Sequence, residues 1–280
     1  MSDRRPPIPG ETRSVLAADG ARLEYEIVGN GPPLVMLHGF LANRFAFSRQ
    51  RAELAAHYRL IMIGFRGSAG SDTLLPVDYG SGTSEVDDLR CVLDAERLDR
   101  VSFFAHSSGG ATAFVFATQS PERVARAVLI EPTLHALLPP TDRAKISAEN
   151  AALIGVAETA GPEAALRASI TMAAGEAWTQ LDAETQATRL KALAESAPFL
   201  GPHNRGLETL AVTDSDVTGF RPPALLLYGA NSFWFEGIIA DRIRALRPDL
   251  RVLTVENAAH NVHRDRADVV NAEVLAFLSK

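Results

Sequence analysis

Ser107 lies within Val101-Ser102-Phe103-Phe104-Ala105-His106-Ser107-Ser108-Gly109-Gly110-Ala111, an apolar run that gives way to small residues. The pattern predicts a strand turning sharply into a helix with a serine at the apex. A serine on such a turn takes a strained backbone, so the residues two before and two after it must be small. Ala105 and Gly109 meet that condition, whereas placing Ser108 at the apex would put the bulky His106 where a small residue is needed. A hydroxyl is too weak an acid to attack a carbonyl unaided at neutral pH. It needs an imidazole, with an ordinary pKa of about 6.5, to take its proton, and an anion to hold that imidazole in the right tautomer. The chemistry indicated is nucleophilic acyl transfer. Two histidines close together near the end of the chain, His260 and His263, are the candidate bases, while His106 is expected to be turned away from the substrate by the geometry of the turn.

Such a turn needs a sheet to hold it. Short apolar runs at Leu34–Leu37, Leu60–Phe65, Val101–Ala105, Val124–Ile130, Ala224–Tyr228 and Val252–Val255 read as buried parallel strands. They are preceded by two strands, Thr12–Ala17 and Arg22–Val28, joined at Asp19-Gly20 as a hairpin. Helices are expected over Ser84–Leu98, where Cys91 belongs to the packing surface, and over Asp265–Leu278. The alternation breaks between residues 133 and 220, which are rich in Ala, Glu and Thr. Helix starts at Gly161-Pro162-Glu163 and after Asp182 mark this stretch as an inserted helical lid. The expected organisation is an arm over 1–11, a core made of 12–132 and 221–280, and a lid over 133–220. In a doubly wound sheet the carboxyl ends of the strands share one edge. Glu131, which closes the run Val124–Ile130 and lies 24 positions beyond Ser107 (131 − 107), is therefore placed to meet a histidine loop. An acid ending an apolar run is costly unless its charge is used.

Composition excludes several alternatives. With 28 Lys+Arg against 34 Asp+Glu and a net charge of −6, the chain offers no basic surface for nucleic acid or anionic membranes. No apolar run approaches the roughly 18 residues of a membrane span. The one cysteine cannot form an internal disulfide, and the seven histidines have no cysteine partners at zinc spacing, so no metal is expected. No glycine-rich phosphate loop points to a nucleotide, so no cofactor is expected, and a cytoplasmic compartment is the default.

Together with the serine turn, three further segments resemble the α/β-hydrolase superfamily, and the resemblance runs from the first hairpin to the last helix. His38-Gly39-Phe40 follows the first buried parallel strand, Gly64–Asp72 is similar to an Asp-x-Arg-Gly-x-Gly-x-Ser segment with Gly64 in place of the aspartate, and Ala259-His260-Asn261-Val262-His263 follows the last strand. The resemblance implies an α/β fold with a mostly parallel doubly wound sheet and a helical lid. It also implies His260 as the base, and the backbone N–H groups of Phe40 and Ser108 as the oxyanion hole, with His38 supporting the loop. Many members carry their acid as Gly-x-x-Asp after the strand matching Ala224–Tyr228. Here that segment reads Gly229-Ala230-Asn231-Ser232, so Ser232 is expected to matter little, and Glu131 takes the role, as in certain dehalogenases and lactonases of the superfamily. Phe40, Phe45, Phe47, Trp178, Phe199, Phe233 and Trp234 suggest an apolar substrate. The implied activity is hydrolysis of a carboxylic ester or lactone through an acyl-enzyme. Alternatives are hydrolytic C–C cleavage of a vinylogous diketone and a non-catalytic ligand-binding protein on the same fold.

Overall fold

A computed structural model of the chain describes residues 9–68, 70–74, 84–174, 176–194, 203, 206 and 210–280. Most of the expected arm (1–8), Ala69 and Phe199 lie outside the described residues. Eight strands form one sheet in the order β1-β2-β4-β3-β5-β6-β7-β8. They are β1 (Gly10–Leu16), β2 (Arg22–Val28), β3 (Pro33–Leu37), β4 (Arg59–Ile63), β5 (Val101–His106), β6 (Val124–Ile130), β7 (Ala224–Gly229) and β8 (Arg251–Val255). β2 runs antiparallel to both β1 and β4, and every other pairing is parallel.

The apolar runs form strands because both faces of the sheet are covered. Along β3, Val35 and Leu37 enter one core with α2 (Ser84–Ala95) and α3 (Ser108–Gln119), and Leu34 and Met36 enter the other with α1 (Ser48–Leu54). After β6 the chain leaves the sheet and builds helices α4 (Pro140–Ala160), α5 (Pro162–Ala174), α6 (Glu176–Thr179) and α7 (Ala183–Leu193), followed by α8 (Asp214–Gly219), before returning in β7. α7 starts where Asp182 accepts the Thr185 N–H at 2.8 Å, the capping signal read in the sequence. The helix expected over Asp265–Leu278 is present as α11 (Ala267–Leu278), starting two residues later, and a one-turn helix, α10 (Val262–Asp265), precedes it. Arg266 between them has φ −127°, outside the helical range. α9 (Glu236–Leu246) fills the β7–β8 crossover. Among the described residues, no helix is long and apolar enough to cross a membrane.

Candidate active site

The parallel strands β3, β5, β6, β7 and β8 all deliver their carboxyl ends to one edge, and the chemistry-bearing residues stand in the loops there. Ser107, between β5 and α3, has φ 55° and ψ −123°, a conformation strained for any residue with a Cβ. Its backbone N–H donates to Ile130 O at 2.9 Å, and its carbonyl accepts from Ala111 N at 3.0 Å and Thr133 N at 3.2 Å, so neighbouring elements hold the turn. The need for small residues is plain in the packing: a Cβ on Gly109 would come within 2.5 Å of His38 O, and one on Gly39 within 2.9 Å of Ser107 Cβ. The His38-Gly39-Phe40 loop therefore lies directly against the serine.

His260 Nε2 is 3.1 Å from Ser107 Oγ, and His260 Nδ1 is 2.5 Å from Glu131 Oε2. The arrangement fits one tautomer, with Nδ1–H donating to Glu131 and Nε2 accepting the Ser107 hydroxyl proton. Glu131 is fully buried and held at φ 42°. Its Oε1 accepts the Gly229 N–H at 2.7 Å, and its Oε2 also accepts the Ser232 hydroxyl at 2.6 Å. The loops after β7 and β8 are tied together by Ala230 N–H to Val255 O at 3.0 Å and Asn231 N–H to Ala258 O at 2.9 Å. The carboxylate and the imidazole are thus set against each other by backbone.

The other histidines of this edge have separate places. His263 is completely buried, 5.3 Å from the Phe47 ring and 4.6 Å from that of His106, and does not contact Ser107. His106 Nε2 lies 2.9 Å from His260 O and donates to it, fixing the backbone of the histidine loop. His38 accepts the Phe65 N–H on Nε2 at 3.1 Å, with Nδ1 2.7 Å from Gly39 O. Burial depresses the pKa of His38 to about 4 and of His263 to about 3, and holds that of His106 well below the usual range.

Three polar neighbours escape a reading by motif. Thr133 Oγ1 is 3.3 Å from Ser107 Oγ, and Ser232 shares the Glu131 oxygen with His260. The expectation that Ser232 stands apart from the reaction is corrected: its hydroxyl touches the candidate acid. Glu236 is the third, buried at the start of α9, with a carboxyl atom within 4.8 Å of the Glu131 and His260 donor atoms. Burial, reinforced by the Glu131 charge, raises its pKa well above the carboxylate range. The pairing of an acid with a loop one strand away could have pointed to position 232. Nothing in the local sequence marks Thr133 or Glu236.

A cavity of about 570 Å³ opens over Ser107 and His260. Phe40, Trp178 and Phe233 line it, as does Phe45. Trp178 packs with Leu166 and Leu190 of the helical segment, Phe233 stands 4.8 Å from the His260 ring, and Phe40 stacks on His203 at 3.9 Å. Two aromatic expectations are corrected. Trp234 is not among the lining residues: it faces outward, with Lys145 Nζ 3.8 Å above its ring. Phe47 is a core residue set edge-on against Phe104. Ser108 is the first residue of α3, so its N–H lies outside the helical ladder.

Comparison with known proteins bears on the fold that carries these residues. A family model described as alpha/beta hydrolase fold matches residues 32–152. A crystal structure of a hydrolase from Pseudomonas aeruginosa superposes with a TM-score of 0.81 at 21% identity, covering 96% of this chain and 99% of that one. The chain has the α/β-hydrolase fold. An enol-lactonase from Burkholderia xenovorans shares this α/β-hydrolase architecture with a TM-score of 0.79 at 19% identity, covering 96% of this chain and all of that one. A 2-hydroxy-6-oxo-2,4-heptadienoate hydrolase of Pseudomonas putida is 33% identical over 126 residues, 44% of this chain and 45% of that protein. The first curated relatives are matched over less than half of their own length.

Proposed function

We propose that this chain is a serine hydrolase that cleaves a carboxylic ester or lactone through an acyl-enzyme. The observation that carries the reading is the continuous relay from Ser107 Oγ to His260 Nε2 and from His260 Nδ1 to Glu131, at the floor of a cavity whose wall combines aromatic and aliphatic side chains with charged ones. Ser107 Oγ attacks the carbonyl carbon as His260 takes its proton. The oxyanion is received by the Phe40 and Ser108 amides, each donor worth about 3 kcal/mol of barrier in sites of this kind. Collapse passes the proton from His260 to the leaving oxygen. Water then attacks the acyl-enzyme with His260 as base. Glu131 keeps the imidazole tautomer and balances the imidazolium. The helical segment 133–220 acts as a lid, consistent with Ile146, Trp178 and Leu193 lining the cavity.

Hydrolytic C–C cleavage is the second reading, favoured by the likeness to the Pseudomonas putida hydrolase. The test of the serine mechanism is Ser107→Ala, together with labelling by an aryl phosphonate read by mass spectrometry. The wild-type protein should gain the phosphonyl mass on Ser107 and hydrolyse aryl esters, and the alanine variant should do neither while keeping its circular dichroism. Turnover retained by the variant would falsify the assignment.

A further inference from the structure

Three arginines from three elements meet on the cavity that holds Ser107 and His260: Arg49 on α1, Arg189 on α7 and Arg264 on α10, four residues beyond His260. Among the described residues, no carboxylate oxygen lies within 4.0 Å of any of their nitrogens. Arg49 Nη1 donates to the backbone carbonyl of Arg264 at 2.7 Å, a bond that holds the Arg49 guanidinium beside the α10 backbone without neutralising its charge. The guanidiniums feel one another, because the Arg264 pKa is lowered by burial and then by the charges of Arg189 and Arg49. A cluster of this kind is unfavourable in the empty protein, and an anion shared among the planar forks relieves it.

The charge balance identifies the anion further. Glu149, Glu236 and Asp265 also line the cavity, and Asp265 is held by the Ala259 N–H at 2.9 Å. Three arginines face three lining acids, of which Glu236 is pushed toward its neutral form by burial, so the lining carries no positive surplus beyond about one charge, which suits a single negative charge better than a doubly charged phosphate. Arg189 comes from the helical segment, while Arg49 and Arg264 come from the sheet domain, so an anion bridging them would also tie the two parts together over the nucleophile.

We propose that the substrate of this site carries a free carboxylate, remote from the bond that is broken, which Arg49, Arg189 and Arg264 receive at the cavity wall. This extends the hydrolase reading, and its test is independent of turnover. Calorimetric titration of the wild-type protein with adipic acid monoanilide and with hexanoic anilide compares two amides of equal length that differ by one carboxylate. The acid should bind about tenfold or more tightly, as expected for a charge-assisted arginine pair. The preference should shrink in about 1 M salt, where screening is short-ranged. It should fall in Arg189→Gln, an exposed helix position that leaves the fold intact, and in Arg264→Gln, while Arg189→Lys retains most of it. Equal affinity for the two amides, no binding of either, or a preference that survives both glutamine variants would overturn the proposal. Tighter binding of the matching phosphate monoester would overturn the monoanion assignment. If Ser107→Ala still hydrolysed esters, the acyl-enzyme reading would fall while the arginine-dependent preference could stand, so the two failures are distinguishable.

Discussion

Glu131 Oε2 receives two donors at once, the His260 imidazole and the Ser232 hydroxyl, and that sharing sets the ranking of substitutions. Glu131→Gln is expected to lower kcat on an aryl ester by roughly three to four orders of magnitude, because an amide cannot hold the productive tautomer or balance the imidazolium. Ser232→Ala removes one of the donors to Glu131 and is expected to cost about tenfold. Combining Glu131→Gln with Ser232→Asp should recover at least about tenfold of the loss, since the side chain at 232 already reaches the oxygen that His260 addresses. Steady-state kinetics on the three variants checks the order, and an Ser232→Asp pair no better than Glu131→Gln alone would contradict it. The places of Ser107 and Glu131 were readable in the sequence because each follows an apolar run whose end must lie at one sheet edge, whereas His260 was singled out from His263 by the resemblance alone. Thr133 and Glu236 were not readable, because they approach the site only through the packing of the β6 loop and the start of α9.

The motif Gly64–Asp72 shows what can be learned at the level of elements. Arg66 donates from Nε and Nη2 to both Asp88 oxygens at 2.8 and 2.7 Å, and from Nη1 to Asp19 at 2.6 Å. It joins the loop after β4 to α2 and to the β1–β2 hairpin, well inside the protein. Removing one partner of a buried pair leaves the other charge uncompensated, at a cost of about 3–5 kcal/mol. Arg66→Met should therefore lower the unfolding free energy in urea by about that amount, with KM unchanged at temperatures where the variant is folded. A loss under 1 kcal/mol would mean that water already shares the pair. The strands were legible almost to the residue, since runs covered on both faces admit few alternatives. The helices filling the crossovers after β3 and β7 were less so: α1 (SRQRAEL) and α9 carry charged residues throughout. The short α10 before the last helix was not marked, because the four residues Val262–Asp265 are too few to show a helical period.

For the molecule as a whole, the buried titratable groups give stability two opposing pH windows. His38, His106 and His263 have pKa values pushed down by burial, so the unfolded chain binds their protons first as pH falls below about 6.5. Their contribution is present above that value and is lost on acidification toward the folded values near 4 and 3. Glu236 has the opposite sign: with its folded pKa raised, its contribution is intact below the ordinary carboxylate value and is lost as pH rises toward the folded one. The urea midpoint should accordingly fall from pH 7 to 5, and Glu236→Gln should raise it at pH 8 more than at pH 4. A midpoint that stays level from pH 7 to 5 would contradict neutral buried imidazoles. The contact between the side chains at 131 and 232 also bears on descent. A lineage that gained an aspartate at 232 before giving up the glutamate at 131 would keep one ionised group beside the imidazole throughout, because two adjoining acids share a proton and do not both discharge. Drift of the acid from one strand end to its neighbour can then proceed without an inactive ancestor.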